Sequence, residues 1–377
     1  MSPTFQPFAL EHYQSQWEHT VDINLADSSV KCLRTDEWLE PEEQAELLRT
    51  GLFYPQVNGT TALRERIAAL YANARAEHVL VTVGAAQGNS MVCATLLEPG
   101  DEVVVISPGY RQVWGLAQIA GCTVREVPLR ESLGWRLDMD ELASAVGART
   151  KLVSIVNPNN PTGSILTDRE MQQVVSACAA VGAWLHADEV YTGTEHGDVS
   201  ETPSFWGRYD RLICTNSLSK AYGLAGLRIG WMVADPDTIQ QLWRRHEYAV
   251  IAAAAPSMTM AEWALKPSRR RTLLARQKGL TASGWAVMNE WLTTQRGRFD
   301  VAATAATAIA FVRYHLPVAS YALAEQIRTQ GSVLVAPGAL LGAEHHLRIT
   351  VGYEATKVRT ALDRIAACVA SPASSAP

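Results

Sequence analysis

The sequence contains no CxxC pair and no cysteine–histidine cluster; Cys32, Cys93, Cys122, Cys178, Cys214 and Cys368 are scattered singly. That spacing excludes a zinc ribbon or a redox dithiol and reads as six reduced core thiols, with no metal expected. No apolar run reaches membrane-spanning length, and "MSPTFQPFALEHYQSQW" lacks the basic and then apolar stretches of a secretory signal. A cytoplasmic protein without a membrane partner is expected. Excess charge is also scarce: 33 Lys and Arg stand against 38 Asp and Glu, a formal net charge of -5. This excludes the basic surplus of a nucleic-acid binder and leaves small molecules as the expected partners. No internal repeat is visible, and only the tail "SPASSAP" is low-complexity, which reads as a frayed end.

What is present is a long, apolar chain. At 377 residues and 47% hydrophobic it exceeds the size at which one core stops growing, so two structural units are expected. Short β-branched runs at 79–84, 102–108, 151–158, 183–190, 212–219 and 227–234 alternate with helical patterns. That alternation predicts a buried, mostly parallel sheet covered by helices. The helix at 167–182 has Thr167 as N-cap, Glu170 completing a capping box and Gly182 as terminator. After about residue 267 a charged helical stretch leads into a smaller set, with strands "FDVAAT", "AIAFVRYH", "VLVAPG" and "HLRITVGY" and a closing helix from about Ala355.

Ligands of open α/β sheets sit at the carboxyl ends of the strands, so chemistry is expected in the turns there. "VGAAQGNS" follows a strand and opens a helix, where free backbone amides favour a phosphate; a tight turn is the plain alternative. "VNPNNPTG" has more specific residues than a turn requires. "ADEVY" ends a strand with two carboxylates that must face opposite ways, so only one can meet a ligand. In "NSLSKAYGLAGLRIGW", Lys220 stands beside Ser217 and Ser219, with Arg228 eight positions on. A lysine that forms a Schiff base with an aldehyde, next to hydroxyls and a guanidinium that bind a phosphate, describes a pyridoxal phosphate site.

In order, "YPQVNGTTALR", "NPNNPTG", "DEVY", "SLSKAYGLAGLRIG" and "LRITVGY" resemble the class I/II aminotransferases, pyridoxal-phosphate enzymes of fold type I. The resemblance covers about residues 20–370. It implies a mostly parallel seven-stranded sheet in a large cofactor-binding domain, 46–267, and a smaller α/β domain, 268–377. Residues 1–45 would contribute to the small domain and the active site. By the same resemblance Lys220 is the Schiff-base lysine and proton shuttle, Asp188 the partner of the pyridine nitrogen, and Tyr110 the residue stacked on the ring. Asn160 and Tyr191 would donate to the phenolic oxygen, and Ala85, Ala86, Ser217, Ser219 and Arg228 would hold the phosphate. Tyr54 would reach the phosphate from a neighbouring subunit, which implies a homodimer. Arg348 would bind the substrate carboxylate.

The N-terminal segment departs from the family pattern: "INLADSSV" stands where a glycine–proline turn is common. Asp27 and Ser28 are therefore expected beside the substrate, favouring a cationic side chain. No second arginine for a dicarboxylic substrate is assignable. These strings are similar to a branch that includes capreomycidine synthase-like enzymes, which use the same residues for elimination and cyclisation of hydroxylated arginine. Amino-group transfer from an L-amino acid to a 2-oxo acid is the leading expectation, with a lyase or cyclase on an arginine-like amino acid as the alternative.

Overall fold

The computed structural model describes residues 6–370; the "SPASSAP" tail lies outside the described residues. Strands in chain order are β1 (Ile23–Asn24), β2 (Val79–Val83), β3 (Glu102–Ser107), β4 (Thr123–Arg130), β5 (Arg136–Leu137), β6 (Thr150–Val156), β7 (Trp184–Asp188), β8 (Leu212–Ser217), β9 (Ile229–Val233), β10 (Phe299–Val301), β11 (Ile309–Tyr314), β12 (Val333–Leu334), β13 (Ala336–Pro337) and β14 (His346–Thr350). The large sheet runs in the order β2-β9-β8-β7-β6-β3-β4-β5. From β8 to β4 all neighbours are parallel, whereas β9 is antiparallel to both β2 and β8. The expected seven strands are joined by an eighth, the two-residue β5, antiparallel to β4.

All six runs read from the sequence are strands of this sheet. The strand not foreseen is β4, "TVREVPLR", and its setting explains why. It lies near the sheet edge, with Arg125, Glu126 and Arg130 facing solvent and Pro128 interrupting its donors, so it lacks the continuous apolar signature of its neighbours. The helix Asp168–Val181 forms as its caps require: the Glu170 N–H donates to Thr167 Oγ1, the Thr167 N–H donates to the Glu170 carboxylate, and Gly182 takes the left-handed conformation at φ 71°.

Four strands, β10-β11-β14-β13, make a second, antiparallel sheet. The run "VLVAPG" does not form one strand but divides, because β12 pairs with β1 and β13 pairs with β14. This division matters for the site. The parallel pairing of Ile23 with Val333 ties the N-terminal segment to the carboxyl-terminal sheet, and the Thr350 N–H donates to Leu25 O at 2.9 Å. Ile23 and Leu25 pack in one core with Trp291, Phe299, Val333 and Ile349. Among the described residues no helix is long and apolar enough to cross a membrane, and no group of three or more His, Cys, Asp or Glu could hold a metal.

The two carboxylates after β7 separate as the strand alternation demands. Asp188 lines the cavity described below, while Glu189 points away and accepts from the Phe205 N–H and Ser204 Oγ, each at 2.8 Å. Burial pushes the Glu189 carboxyl from 4.5 up to about 7, against the Phe205 and Ser204 donors that hold it down. Between those values the folded chain keeps a proton that the unfolded chain has released, so this group's contribution to stability falls as pH rises through the window. Glu189→Gln should therefore flatten the stability–pH profile of the cofactor-free protein between pH 4.5 and 7, by on the order of 3 kcal/mol across the window. Buried His186, held neutral with its pKa lowered to about 4, has the opposite slope but is common to both proteins. Urea unfolding at stepped pH checks this; parallel profiles for the two proteins would refute it.

Candidate active site

At the carboxyl ends of the parallel strands lies a cavity of about 350 Å³. Its walls include Ala85, Ala86, Tyr110, Asn160, Asp188, Tyr191, Ser217, Ser219, Lys220 and Arg228, together with Asp27 and Ser28. Twelve residues singled out from separated motifs thus meet in one place. Arg348 stands behind this wall on β14, fully buried, with one guanidinium nitrogen donating to Asn160 Oδ1 at 3.3 Å. Tyr54 lies outside the cavity and is 81% exposed.

Local sequence explains the positions. The helix Gly84–Leu96 begins directly after β2, and its N-cap residue Val83 has no side-chain acceptor to offer, so its first amides remain available at the cavity. Arg228 adopts a left-handed conformation, φ 53°, which brings its guanidinium over Gly84. On the far side, a Cβ at Gly230 would sit 2.5 Å from Ala85 N. Only glycine lets β9 approach the amide turn so closely.

The asparagines of "VNPNNPTG" divide their labour. Asn157 Oδ1 accepts from the Leu166 N–H and Asn159 Oδ1 accepts from the Thr162 N–H and hydroxyl, so both brace the loop. Asn160 is the one turned towards the cavity. At the pocket floor Asn89 Nδ2 donates to Asp188 Oδ2 at 2.9 Å and the Val190 N–H donates to Oδ1 at 3.2 Å. Burial raises the Asp188 carboxyl above its ordinary value, against the opposing pull of Asn89, Val190 and Lys220.

Lys220 Nζ donates to Ser28 Oγ at 2.8 Å and lies 3.9 Å from Asp27 Oδ1. The same Asp27 oxygen accepts from the N–H groups of Ser28 and Ser29 and from the Ser29 hydroxyl. Burial acts to raise the Asp27 carboxyl, but Lys220, the Ser29 donors and Arg348 outweigh it and hold it below its ordinary value. Asp27 and Ser28, expected beside the substrate, line the cavity and also contact Lys220.

Four further polar residues, none of them expected there from the sequence, line the cavity. Glu11, Gln14 and Glu18 line the cavity from the N-terminal helix Ala9–Trp17 and its C-cap, and Asn89 lines its floor. The 11, 14, 18 spacing, which sets the three on one helical face with Gln14 four positions after buried Leu10, was the available signal. Tyr110 donates its hydroxyl to Glu11 Oε1 at 3.0 Å, and Gln14 Oε1 accepts from Arg348 at 2.7 Å.

Residues 20–365 match the family model described as aminotransferase class I and II. The chain belongs to this family. Capreomycidine synthase of Streptomyces vinaceus is 30% identical over 300 residues, 77% of this chain and 74% of that protein. An arginine–pyruvate transaminase of Pseudomonas aeruginosa is 34% identical over 196 residues, about half of each chain at 50% and 49%. Among solved structures, a pyridoxal-phosphate-dependent aminotransferase from Streptococcus suis superposes with a TM-score of 0.91 at 26% identity, covering 97% of this chain and 98% of that one. This aminotransferase-family chain is thus a pyridoxal-phosphate-dependent enzyme of fold type I.

The cavity fits that cofactor. The Tyr191 hydroxyl and Asn89 Oδ1 are buried and have no hydrogen-bond partner among the described residues, as expected of groups that await a polar ligand. An uncapped helix start with Arg228 over it suits a phosphate, and a buried carboxylate at the opposite end suits a protonated ring nitrogen. Gly230→Ala should push the Gly84–Ala85 backbone out of place and weaken pyridoxal phosphate binding by roughly tenfold, the lower end of the usual overpacking cost. Dialysis against graded cofactor, followed by absorbance, checks this; unchanged affinity with a native circular dichroism spectrum would refute the close-approach argument.

Proposed function

We propose that this enzyme transfers the amino group of an L-amino acid to a 2-oxo acid, with Lys220 as the group that moves the α-proton. One observation carries the reading: a single lysine amine, oriented by Ser28 Oγ at 2.8 Å, faces a cavity that also presents Asp188, Asn160 and Tyr191. Ala85, Ala86, Ser217, Ser219 and Arg228 would hold the cofactor phosphate, with Tyr110 against the ring and Asn160 and Tyr191 on the phenolic oxygen. When bound, pyridoxal phosphate supplies an electron sink for the bond broken at the substrate α-carbon.

The protein's residues do the rest. Asp188 keeps a proton on the ring nitrogen, and the Asn89 amide and Val190 N–H fix the carboxylate that does so. Arg348 binds the substrate carboxylate through a planar fork, which a lysine cannot imitate. Its present acceptors, Gln14 Oε1, Ala26 O and Asn160 Oδ1, are neutral, so its charge remains for an incoming anion. Lys220 Nζ takes the α-proton and returns it at the neighbouring carbon, and Ser28 and Asp27 stabilise the ammonium between the two transfers. All six cysteines are free, which supports a reducing, cytoplasmic setting. Exposed Leu52, Phe53 and Tyr54 support a homodimer in which Tyr54 reaches the partner's phosphate site.

A second reading is favoured by the 30% identity to capreomycidine synthase over three quarters of the chain: elimination and cyclisation of an arginine-like amino acid by the same residues. Incubation of the holoenzyme with ¹⁵N-labelled amino acids and pyruvate separates the two. Label in alanine supports amino transfer; label in ammonia or in a cyclic product supports the second reading. Lys220→Ala should lower turnover at least a thousandfold, within the usual range of a lost general base, with the fold intact by circular dichroism. Near-normal turnover would overturn both readings. Arg348→Lys should raise KM for amino acids well beyond any effect on kcat, and an unchanged KM would remove Arg348 from the substrate site.

A further inference from the structure

The cavity holds four carboxylates, Glu11, Glu18, Asp27 and Asp188, against the two cations Lys220 and Arg228. The proposed function, on which this inference rests, accounts for only part of that charge. Arg228 answers the phosphate, Asp188 answers the ring nitrogen, and Arg348 answers the substrate carboxylate. Asp27 is engaged by its own turn and by Lys220. Glu18 lies 3.4 Å from the exposed His19 ring outside the cavity, and neither Glu11 nor Glu18 meets a cation among the cavity-lining residues.

Both project from one helical face with Gln14 between them. Gln14 is bonded to Arg348, so the two glutamates flank the point at which the substrate carboxylate would be held. Glu11 is further oriented by the Tyr110 hydroxyl at 3.0 Å, a donor that leaves its second oxygen free. The Tyr191 hydroxyl and Asn89 Oδ1 suit the polar edge of a cofactor and the unpartnered Arg348 Nε suits the substrate carboxylate, so what the glutamates add is a demand for positive charge.

We infer that Glu11 and Glu18 determine substrate specificity, selecting an amino acid whose side chain ends in a cation, a guanidinium or an ammonium group. A neutral side chain of equal length would gain no attraction from either carboxylate, whereas a cation placed between them and the substrate carboxylate site would gain it from both. An anionic side chain would be repelled.

The test uses charge-matched pairs on the holoenzyme: L-arginine against L-citrulline, and L-lysine against L-norleucine. Dissociation constants come from calorimetry and specificity from kcat/KM. Wild type should favour the cationic member of at least one pair tenfold or more, and the preferred pair identifies the group as guanidinium or ammonium. Raising ionic strength should weaken the cationic member selectively. In the Glu11→Gln/Glu18→Gln double variant the cationic-over-neutral ratio should shrink at least tenfold, each cationic ligand being referred to its neutral partner measured on the same variant. Equal treatment of both members by wild type, or a preference that survives in the double variant, overturns the inference while leaving amino-acid chemistry intact. If no amino acid binds to holoenzyme that has incorporated pyridoxal phosphate, the proposed function itself fails and the inference with it.

Discussion

The cavity depends on the contact between Lys220 and the turn Asp27–Ser29. Lys220 follows a strand of the large sheet, whereas the turn belongs to the first thirty residues, nearly two hundred positions earlier. Their meeting is enforced from outside the site: β1 pairs with β12, Leu25 O accepts from Thr350, and Ser29 O accepts from the Thr350 hydroxyl at 3.1 Å. The N-terminal segment is therefore clamped to the small sheet and held against the large one. Loosening that clamp would free the amine to take other rotamers and would open the wall of the cavity, so placement of the reactive group and closure of the site are one structural problem.

Charge burial is the second constraint, and the chain resolves it unevenly. Arg348 is fully buried, yet its hydrogen bonds go to an amide, a backbone carbonyl and a second amide rather than to a carboxylate. A buried cation with neutral acceptors is costly without a counter-charge. Asp27 supplies part of that compensation through space, and it also stabilises Lys220. One carboxylate thus balances two cations before any ligand arrives, which leaves the site short of negative charge near Arg348 and rich in it along the N-terminal helix. A zwitterion with an additional cation at its far end matches that distribution.

Much of this was legible in the sequence because it rests on local rules. Strand ends could be read from β-branched runs, the helix Asp168–Val181 from its capping residues, and the cavity position of Lys220 from its neighbours in the motif. The opposed directions of Asp188 and Glu189 followed from strand geometry alone. What stayed hidden depended on distant partners. Asp27 could be placed near the site but not on Lys220, since that contact is set by the β1–β12 pairing. The edge strand β4 concealed itself behind exposed charges. Glu11, Gln14 and Glu18 share one helical face by their spacing, but spacing alone does not tell a face turned to water from one turned to a cavity.

That helix also links two kinds of recognition that are usually separate. Gln14 touches the arginine proposed for the substrate carboxylate, and Glu11 touches the tyrosine proposed to lie on the cofactor ring. At a rise of about 1.5 Å per residue, Glu11 and Glu18 stand roughly 4.5 and 6 Å along the helix from Gln14, within the reach of a long cationic side chain whose carboxylate is held at Arg348. A single rigid rod can therefore sense the carboxylate at its middle and the far end of the side chain towards its ends. A substrate that satisfies Arg348 but not the glutamates would leave the rod with one contact made and the others unpaired, so discrimination by charge would follow from how the helix seats and not only from pairwise attraction.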